Sequence, residues 1–339
     1  MEASRILIVR TSAMGDIVHT MPLARALRGA LPEATIGWVV EGHFASILHR
    51  SPAVDEVLQI DLKAWRQRPF AKSTWREIAA FTSRLQGFSA DIVIDAMGNH
   101  KSGLIAALSF AGRSLGAGRK DRREPSSAMW ISESVPVVGE HAIDRTLSLI
   151  SGLDLPVPSA VLQDPMLFTQ ADEVPATPPI LLHPGAGWRN KEYPAERWGQ
   201  VSRELHATTG LEIGIISAPG ELPLVDRVLD AAGGDAVGVP ALGLEALAGR
   251  LQAARLVLAG DTGPLHLAQA LGTAVLCLLG PTDPARNGAY RAPQSNLAHR
   301  LPCSYCYKRL AETKACLLLI EPATVVERAL RLLEEGSNP

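Results

Sequence analysis

The stretch that decides the fold is Arg5-Ile-Leu-Ile-Val-Arg-Thr-Ser-Ala-Met-Gly-Asp-Ile-Val-His-Thr-Met-Pro22, near the start of the chain. Its apolar residues 6–9 predict a strand that is buried on both faces, and residues 19–31 carry apolar side chains at helical spacing. Such strand-turn-helix openings commonly hold an anion at the helix N-terminus, yet Asp16 puts a carboxylate there. We therefore expect this turn to perform chemistry; an aspartate that only caps the helix is the alternative.

The same alternation of strand and helix recurs along the rest of the chain. Further strands are predicted at residues 35–41, 56–61, 91–96, 180–183, 212–217, 256–259 and 274–279. Helices are predicted at residues 43–50, 74–86, 101–111, 195–208, 222–232, 244–253, 264–271 and 321–335. Alternation of this kind is typical of parallel sheets that are covered by helices on both faces.

The chain is predicted to form two domains, because 339 residues exceed the usual size of one hydrophobic core and a proline-rich stretch interrupts the alternation. We predict an α/β protein with two Rossmann-like, doubly wound domains that face a central cleft. The predicted parts are an N-terminal domain at 1–160, a linker at 161–179, a C-terminal domain at 180–320, and a helix at 321–339 that packs back on the N-terminal domain. Ligands of such folds bind outside the C-terminal ends of parallel strands.

The composition narrows the class of protein. A hydrophobic content of 47%, a charged content of 20% and a formal charge of −2 are those of an ordinary globular protein and argue against a nucleic-acid partner. No apolar run approaches the roughly 18 residues of a membrane span, and no signal-peptide pattern is visible. We therefore expect a cytoplasmic protein. Four cysteines in a chain of this length do not form a disulfide framework.

A small-residue turn within residues 182–194 has features of a phosphate site. Gly185 and Gly187 allow a ligand to approach the backbone closely, and Lys191 supplies a mobile positive charge. The alternative is a solvated loop whose glycines only turn the chain.

A second turn of this kind follows an apolar strand at Gly260-Asp-Thr-Gly263. Thr262 and Gly263 can present a hydroxyl and a backbone amide to a diphosphate at the start of a helix, and His266 falls on its first turn. The alternative is that Asp261 and Thr262 only cap the helix and that His266 is a buried histidine satisfied within the core.

Several other functions lack their motifs. The sequence contains neither the P-loop nor the Gly-x-Gly-x-x-Gly dinucleotide fingerprint, no Gly-x-Ser-x-Gly, and no Asp-x-Asp of the kind that commonly holds the cation of metal-dependent sugar transferases. Basic residues are concentrated in two segments of the first half: Lys63, Arg66, Arg68, Lys72 and Arg76, and Arg113, Arg119, Lys120, Arg122 and Arg123. Such clusters form either a solvated face or a pocket for an acidic or phosphorylated acceptor.

These turns, in this order, resemble glycosyltransferase family 9, the lipopolysaccharide heptosyltransferases. The resemblance rests on residues 8–16 with 19–22, 38–41, 91–98, and 261–266 with 280–284. It implies a GT-B architecture, an ADP-heptose donor and a Kdo-containing inner-core acceptor on lipid A. It also implies inversion at the anomeric carbon without a catalytic metal or cofactor.

The resemblance assigns roles to individual residues. It implies Asp16 as the general base. It places the donor on Lys191, Glu221, Asp261, Thr262, Gly263 and His266. It places the acceptor on Arg10, Arg66, Arg123, His141 and Arg145. Base and leaving-group contacts lie in different domains, so closure of the domains is part of this hypothesis.

Other functions stay open at this point. A family 9 transferase can use another acceptor, either a first heptose or a protein hydroxyl. A nucleotide-sugar epimerase, an NAD-linked oxidoreductase or a non-catalytic nucleotide-binding protein would share the doubly wound halves. A lipid-linked acceptor would bring the enzyme to the inner leaflet of the inner membrane, where we expect at most peripheral contact through the basic first half.

One feature departs from the family pattern. Cys303, Cys306 and Cys316 match part of a cysteine cluster found in some members, but a further expected cysteine is absent. With His299 or Cys277 as a fourth ligand they could form a structural zinc or iron site, and the alternative is that they bind no metal.

Overall fold

The computed structural model describes residues 4–49, 51–157, 176–218 and 220–335. The chain divides into two compact units, Met1–Asp164 and Pro165–Pro339. Residues 161–175 of the predicted linker lie outside the described residues.

The first unit is built on a six-stranded parallel sheet. Its strands are β1 (Arg5–Val9), β2 (Thr35–Glu41), β3 (Glu56–Ile60), β4 (Ile92–Asp95), β5 (Arg113–Ala117) and β6 (Glu133–Val135). The strand order is β3-β2-β1-β4-β5-β6, with Ile8 opposite both Trp38 and Ile94. β1 is central and its residues 6–9 are fully buried, as its apolar sequence requires.

Helices cover this sheet. They are α1 (Met14–Ala30), α2 (Ala45–His49), α3 (Leu62–Gln67), α4 (Lys72–Gly87), α5 (His100–Leu108) and α6 (Ala142–Leu147), with short 3₁₀ turns between several of them. α4 buries Phe81 and Leu85 in one core cluster with Leu7 and Val93 of the sheet. Gly37 leaves room for Phe88 at the end of α4, because a Cβ at Gly37 would lie 2.7 Å from the Phe88 ring.

The second unit repeats the plan. Its strands are β7 (Ile180–His183), β8 (Ile213–Ile215), β9 (Val237–Gly238), β10 (Leu256–Gly260), β11 (Val275–Leu279) and β12 (Asn296–Ala298). They pair in parallel in the order β12-β11-β10-β7-β8-β9. Counted from the first strand of each unit, the two orders are the same, and both are the 3-2-1-4-5-6 order of the Rossmann fold.

The helices of the second unit are α7 (Ala195–Thr209), α8 (Leu222–Ala232), α9 (Leu244–Gln252), α10 (Gly263–Ala270), α11 (Pro284–Asn287), α12 (Ala315–Leu318) and α13 (Pro322–Glu335). The sequence predicted that the last helix packs on the N-terminal domain. Its apolar residues Val325, Ala329 and Leu332 belong to the core of the second unit, together with Trp198 of α7 and Leu258 of β10, and the packing on the N-terminal domain stays a prediction.

This strand order determines where a ligand can bind. The order reverses between β1 and β4 in the first unit and between β7 and β10 in the second. Ligands of doubly wound sheets bind at such switch points, beyond the carboxyl ends of the strands. None of the helices in the described ranges is both long enough and apolar enough to cross a membrane.

Candidate active site

The switch point of the first unit brings Arg10 and Asp16 together. Arg10 follows β1 directly, and Asp16 lies on the first turn of α1, which begins at Met14, earlier than the sequence predicted. The Asp16 Oδ2 atom lies 2.7 Å from Arg10 Nη2 and 3.4 Å from the Ala13 amide nitrogen. The Asp16 side chain is 42% exposed, whereas that of Arg10 is 14% exposed. The carboxylate is thus held at a helix N-terminus and remains accessible to a substrate.

Arg10 is fixed by neighbours on both sides of β1. Its Nη1 donates to the Ala96 carbonyl at 2.5 Å, just beyond β4. Its own carbonyl accepts a hydrogen bond of 3.0 Å from Trp38 Nε1 on β2. Three segments that carry the family resemblance therefore meet at this arginine, and their common effect is to orient the group beside Asp16.

A buried ion pair supports the same edge of the sheet. Asp95 at the end of β4 pairs with Arg122, and neither side chain is exposed to solvent. The other oxygen of Asp95 accepts from the amides of Met97 and Gly98 at 3.1 and 3.0 Å. Arg122 Nε also donates to Ser127 Oγ at 2.8 Å. The pair ties the segment after β5 to the turn after β4, which places Arg123 beside that turn.

The second basic segment is therefore not one free patch. Arg122 is internal, and Arg113 forms two hydrogen bonds with the Glu133 carboxylate, at 2.8 and 2.7 Å. Arg123 is exposed, while Arg145 donates to Asp121 Oδ1 at 2.8 Å. Arg113 and Arg122 are thus occupied within the protein, and the acceptor roles of Arg123 and Arg145 stay predictions.

His141 lies beside His19 of α1. It caps α6, where its Nδ1 accepts from the Ile143 amide at 3.2 Å, and its ring centroid lies 5.3 Å from that of His19. His19 is one helical turn beyond Asp16, so α6 brings His141 to the helix that carries the aspartate. Arg66 is exposed on α3.

Glu41 is a buried acid that sequence reasoning did not select. It ends β2, and its amide donates to the Thr11 carbonyl in the turn after β1 at 3.1 Å. Burial raises the pKa of its carboxyl, and Asp61 adds to that shift, while the nearby Lys101 and Arg66 oppose it. The signal for this residue was present, because an acid at the end of a buried strand needs a partner.

In the second unit, Lys191 and Asp261 meet at the switch point. Lys191 Nζ lies 2.6 Å from Asp261 Oδ2 and donates to the Asp261 carbonyl at 3.1 Å. The ammonium group also lies 4.6 Å from the centre of the Trp188 ring. The lysine is only 13% exposed at its side chain, so these contacts fix it at the carboxyl end of β10.

His266 completes this group from α10. Its Nε2 lies 2.9 Å from Asp261 Oδ1. Burial alone would raise the pKa of Asp261, but the hydrogen bond from His266 and the charge of Lys191 outweigh it and hold the pKa well below 3.8. Asp261 is thus an ionised internal partner that positions the lysine and the histidine. Thr262 is the N-cap residue of α10, and the free amides of the first helical turn begin beside it.

Glu221 occupies the turn after β8 and precedes α8. Its Oε2 accepts from the Ala218 amide at 2.7 Å and lies 3.2 Å from His183 Nε2. Burial would raise the pKa of Glu221, yet the contact with His183 outweighs burial and lowers it. The other His183 nitrogen, Nδ1, lies 3.5 Å from Thr262 Oγ1. His183 therefore connects two predicted donor residues, and its place at the end of a buried strand was the signal that sequence analysis passed over.

The predicted metal site is not present in the described residues, where no three His, Cys, Asp or Glu side chains are gathered closely enough to hold an ion. Cys303 and Cys306 are exposed, whereas Cys316 and Cys277 are buried. Burial raises the pKa of the Cys277 thiol well above its ordinary value. The described residues therefore give no support to a zinc or iron site at Cys303, Cys306 and Cys316, which the sequence left open.

The segment that contains these cysteines instead packs against the Lys191 turn. Asn190 Nδ2 donates to the Lys308 carbonyl at 2.9 Å, and the Leu310 amide donates to Asn190 Oδ1 at 3.2 Å. The Arg309 guanidinium lies 4.8 Å from the centre of the Trp188 ring. These contacts brace the turn that carries the lysine.

Two doubly wound units, each with polar side chains at its switch point, are the architecture of GT-B glycosyltransferases. The chain belongs to glycosyltransferase family 9 (heptosyltransferase), whose model matches residues 78–316. It is 33% identical to lipopolysaccharide heptosyltransferase 1 of Pseudomonas aeruginosa over 312 residues, which cover 90% of this chain and 86% of that relative. It is 32% identical to the Escherichia coli K12 protein of the same name, over 86% of this chain and 95% of the relative.

Solved structures agree with this assignment. The structure of E. coli heptosyltransferase WaaC with ADP-2-deoxy-2-fluoro heptose matches with a TM-score of 0.77 at 27% identity, over 98% of this chain and 100% of that one. E. coli ADP-heptose lps heptosyltransferase II matches with a TM-score of 0.74 at 18% identity, over 98% and 99% of the two chains, and shows the shared fold. The predicted GT-B fold and the family assignment are confirmed, and the protein is a heptosyltransferase.

Proposed function

We propose that the enzyme transfers an L-glycero-D-manno-heptosyl group from ADP-heptose to a Kdo-containing acceptor of the lipopolysaccharide inner core. The relatives at 31–33% identity are named lipopolysaccharide heptosyltransferase 1, which supports this donor and this class of acceptor. The reaction inverts the anomeric carbon, and Asp16 is its general base.

One observation carries the proposal: the Asp16 carboxylate is exposed on the first turn of α1, with Arg10 at 2.7 Å. A base for glycosyl transfer must reach the acceptor hydroxyl, and an acceptor with an acidic sugar needs a cation beside that hydroxyl. Arg10 and Asp16 offer both groups within one turn of the chain.

The chemical step uses these groups in turn. Asp16 takes the proton of the acceptor hydroxyl as the oxygen attacks the anomeric carbon from the face opposite the diphosphate. The bond from the anomeric carbon to the β-phosphate oxygen breaks, and ADP leaves with its electron pair. Lys191 and the amide of Gly263 take up the negative charge that develops on the leaving group.

The donor is held by the second unit. Thr262 and Gly263 lie at the N-terminus of α10, where free amides and the helix dipole favour a diphosphate. In this proposal the Glu221 carboxylate accepts hydrogen bonds from the ribose hydroxyls. It can do so because its contact with His183 lowers its pKa and keeps it ionised. The E. coli structure with an ADP-heptose analogue, at 27% identity, supports a donor of this kind.

The acceptor is held by basic residues of the first unit. In this proposal Arg10, His141 and Arg123 contact the acceptor, and Arg66 and Arg145 extend this set. Arg145 is paired with Asp121 in the free protein, so binding of the acceptor carboxylate would exchange one anionic partner for another. The acceptor carries a lipid anchor, so the reaction takes place at the inner leaflet, with the enzyme on the cytoplasmic side.

The test is release of ADP from ADP-heptose, measured with a Kdo-lipid A acceptor and without any acceptor. The proposal expects ADP release, and a heptosylated product by mass spectrometry, only when both substrates are present. A parallel assay offers an acceptor that already carries the first heptose. Transfer to that acceptor and not to Kdo-lipid A would overturn the proposed specificity, and ADP release that is independent of acceptor would overturn transfer itself.

A further inference from the structure

The helical hairpin of residues 62–77 exposes two aromatic side chains. It consists of α3, a turn and the first part of α4, and we name it the aromatic-basic hairpin. Phe70 in its turn is 94% exposed, and Trp75 on the first turns of α4 is 62% exposed. Single exposed apolar residues are common on protein surfaces, so their surroundings decide what these two mean.

Contacts of Trp65 and Thr74 hold the hairpin in place, while Phe70 makes none of them. Trp65 packs on Phe81 with ring centroids 5.9 Å apart, and its Nε1 donates to Glu77 Oε2 at 3.0 Å. Thr74 Oγ1 donates to the Arg68 carbonyl at 2.7 Å and so closes the turn. The hairpin therefore uses one aromatic residue for its own packing and displays the other two.

The exposed face of α4 also carries positive charge. Thr74, Phe81 and Leu85 form its buried stripe. Lys72, Trp75 and Arg76 are spaced as neighbours on a different face of the helix, and all three are exposed. An indole ring flanked by two cations is the arrangement expected where a protein meets a lipid headgroup layer.

The remaining charges of the hairpin have the same sign. Its five basic residues are all exposed: Lys63, Arg66, Arg68, Lys72 and Arg76. Glu77, the acid within 62–77, is occupied by Trp65 and lies 3.8 Å from Arg68. The surface thus presents aromatic rings within a field of positive charge, which is complementary to anionic lipid.

We propose that the aromatic-basic hairpin docks the enzyme on a bilayer that contains anionic phospholipid, with Phe70 and Trp75 in the interfacial layer and the cations on lipid phosphates. This inference rests on the proposed function, because a lipid-linked acceptor lies in the same bilayer. The position of the hairpin agrees with it. Arg66 is close enough to Glu41 to affect that carboxyl, so α3 adjoins the carboxyl end of β2, the edge of the sheet where Arg10 and Asp16 lie.

The experiment measures binding of the full chain to phosphatidylcholine vesicles with and without phosphatidylglycerol, by cosedimentation. We expect binding to the anionic vesicles, weak binding to the neutral ones, and loss of binding at high salt. The Phe70→Ser/Trp75→Ser variant should bind anionic vesicles roughly tenfold or more weakly, because two aromatic side chains no longer enter the interface. The Lys72→Gln/Arg76→Gln variant should also bind more than about tenfold more weakly.

Matched controls separate this surface from general effects. Met129→Ser removes a side chain of the first unit that is 74% exposed and lies outside the hairpin. Arg227→Gln/Arg250→Gln removes two exposed charges of the second unit. Both controls should bind vesicles like the wild type. Equal binding of the hairpin variants and the wild type would overturn the proposal. Failure of the wild type to bind anionic vesicles would also overturn it.

The same variants distinguish this inference from the proposed function. With a deacylated, lipid-free acceptor the hairpin variants should turn over like the wild type, because none of the four residues contacts the reacting groups. Vesicle binding without any transfer would leave the hairpin proposal standing and overturn the proposed function. If sedimentation velocity shows that the wild type self-associates and the Phe70→Ser/Trp75→Ser variant does not, the hairpin contacts a second copy and the membrane proposal fails.

Discussion

Asp95 and Arg122 form an ion pair in which neither side chain is exposed to solvent, and 27 positions of sequence separate them. The aspartate ends β4, while the arginine belongs to a segment that looked from sequence like part of a basic patch. Their pairing gives that segment a fixed place at the carboxyl edge of the first sheet. The Asp95 carboxylate also accepts hydrogen bonds from two backbone amides, and these hydrogen bonds close the turn that follows β4.

Breaking this pair should strongly destabilise the first unit. Arg122→Met leaves the Asp95 carboxylate buried without its cation, which should lower the free energy of unfolding by roughly 3–5 kcal/mol. The double variant Asp95→Asn/Arg122→Met should recover much of that loss, because the amide carbonyl still accepts from the backbone and no charge is stranded. Urea unfolding measures both.

Arg113→Met is the matched control, because its partner Glu133 and Arg113 itself are more than 40% exposed. Arg113→Met should lower the free energy of unfolding by less than about 1 kcal/mol. Equal losses for Arg113→Met and Arg122→Met would mean that burial of the pair does not matter.

Much of the fold could be predicted because its central strands carry their own signal. β1, β7, β10 and β11 are runs of apolar residues buried on both faces, and sequence analysis found each of them. It missed β5, β6, β9 and β12. These lie toward the edges of the sheets and are short or rich in polar residues and glycine, as in Arg-Ser-Leu-Gly-Ala for β5. At an edge, pairing with a neighbour determines the strand, and pairing is not visible in local sequence.

Sequence could place a polar side chain that directly follows a buried strand, as Asp261 follows β10. What sequence could not provide was the pairing between distant residues. His183 lies next to Glu221, which is 38 positions further along the chain, and only the sheet brings them together. The same reason applies to the cysteines, because their spacing could not show that two of the thiols are exposed and two are buried.

The close approach of Gly185 to Glu221 allows a test of whether Glu221 contacts the nucleotide. A Cβ on Gly185 would overlap the Glu221 carboxylate, which is the far end of a flexible side chain and can move. Gly185→Ala should therefore fold normally and displace the carboxylate, weakening ADP-heptose binding roughly tenfold. Isothermal titration with ADP and ADP-heptose measures the change.

Gly249→Ala in α9 is the control, since a Cβ there meets no atom within 4 Å and the residue has no part in the proposed donor site. It should bind ADP like the wild type. If both alanine variants bind donor equally well, Glu221 does not contact the nucleotide.

The Asp261 group should make the second unit sensitive to acid. The folded protein holds the pKa of Asp261 below its ordinary 3.8, because His266 and Lys191 outweigh the opposing effect of burial. A depressed pKa contributes stability above the pKa of the unfolded chain, and that stability is lost as the pH falls toward the folded value. The stability difference between the wild type and Asp261→Asn should then be constant above about pH 5 and shrink below about pH 4.

Urea unfolding, followed by tryptophan fluorescence between neutral and acidic pH, measures this difference. It should be roughly 3 kcal/mol at neutral pH, because the variant leaves the buried Lys191 ammonium without its anionic partner. Asp226→Asn, at an exposed position of α8, should show little difference at any pH. A difference for Asp261→Asn that does not change with pH would contradict the linkage.

The last prediction concerns the base itself. Asp16→Asn keeps the shape of the side chain and removes its ability to take a proton, so kcat should fall roughly 100-fold to 10,000-fold. ADP-heptose affinity should be unchanged, since the donor groups belong to the second unit. Asp55→Asn is a matched control, because the Asp55 side chain is 43% exposed and also pairs with an arginine, Arg28. It should keep full turnover. A loss of donor affinity in Asp16→Asn would indicate disturbed folding, and wild-type turnover would show that another group is the base.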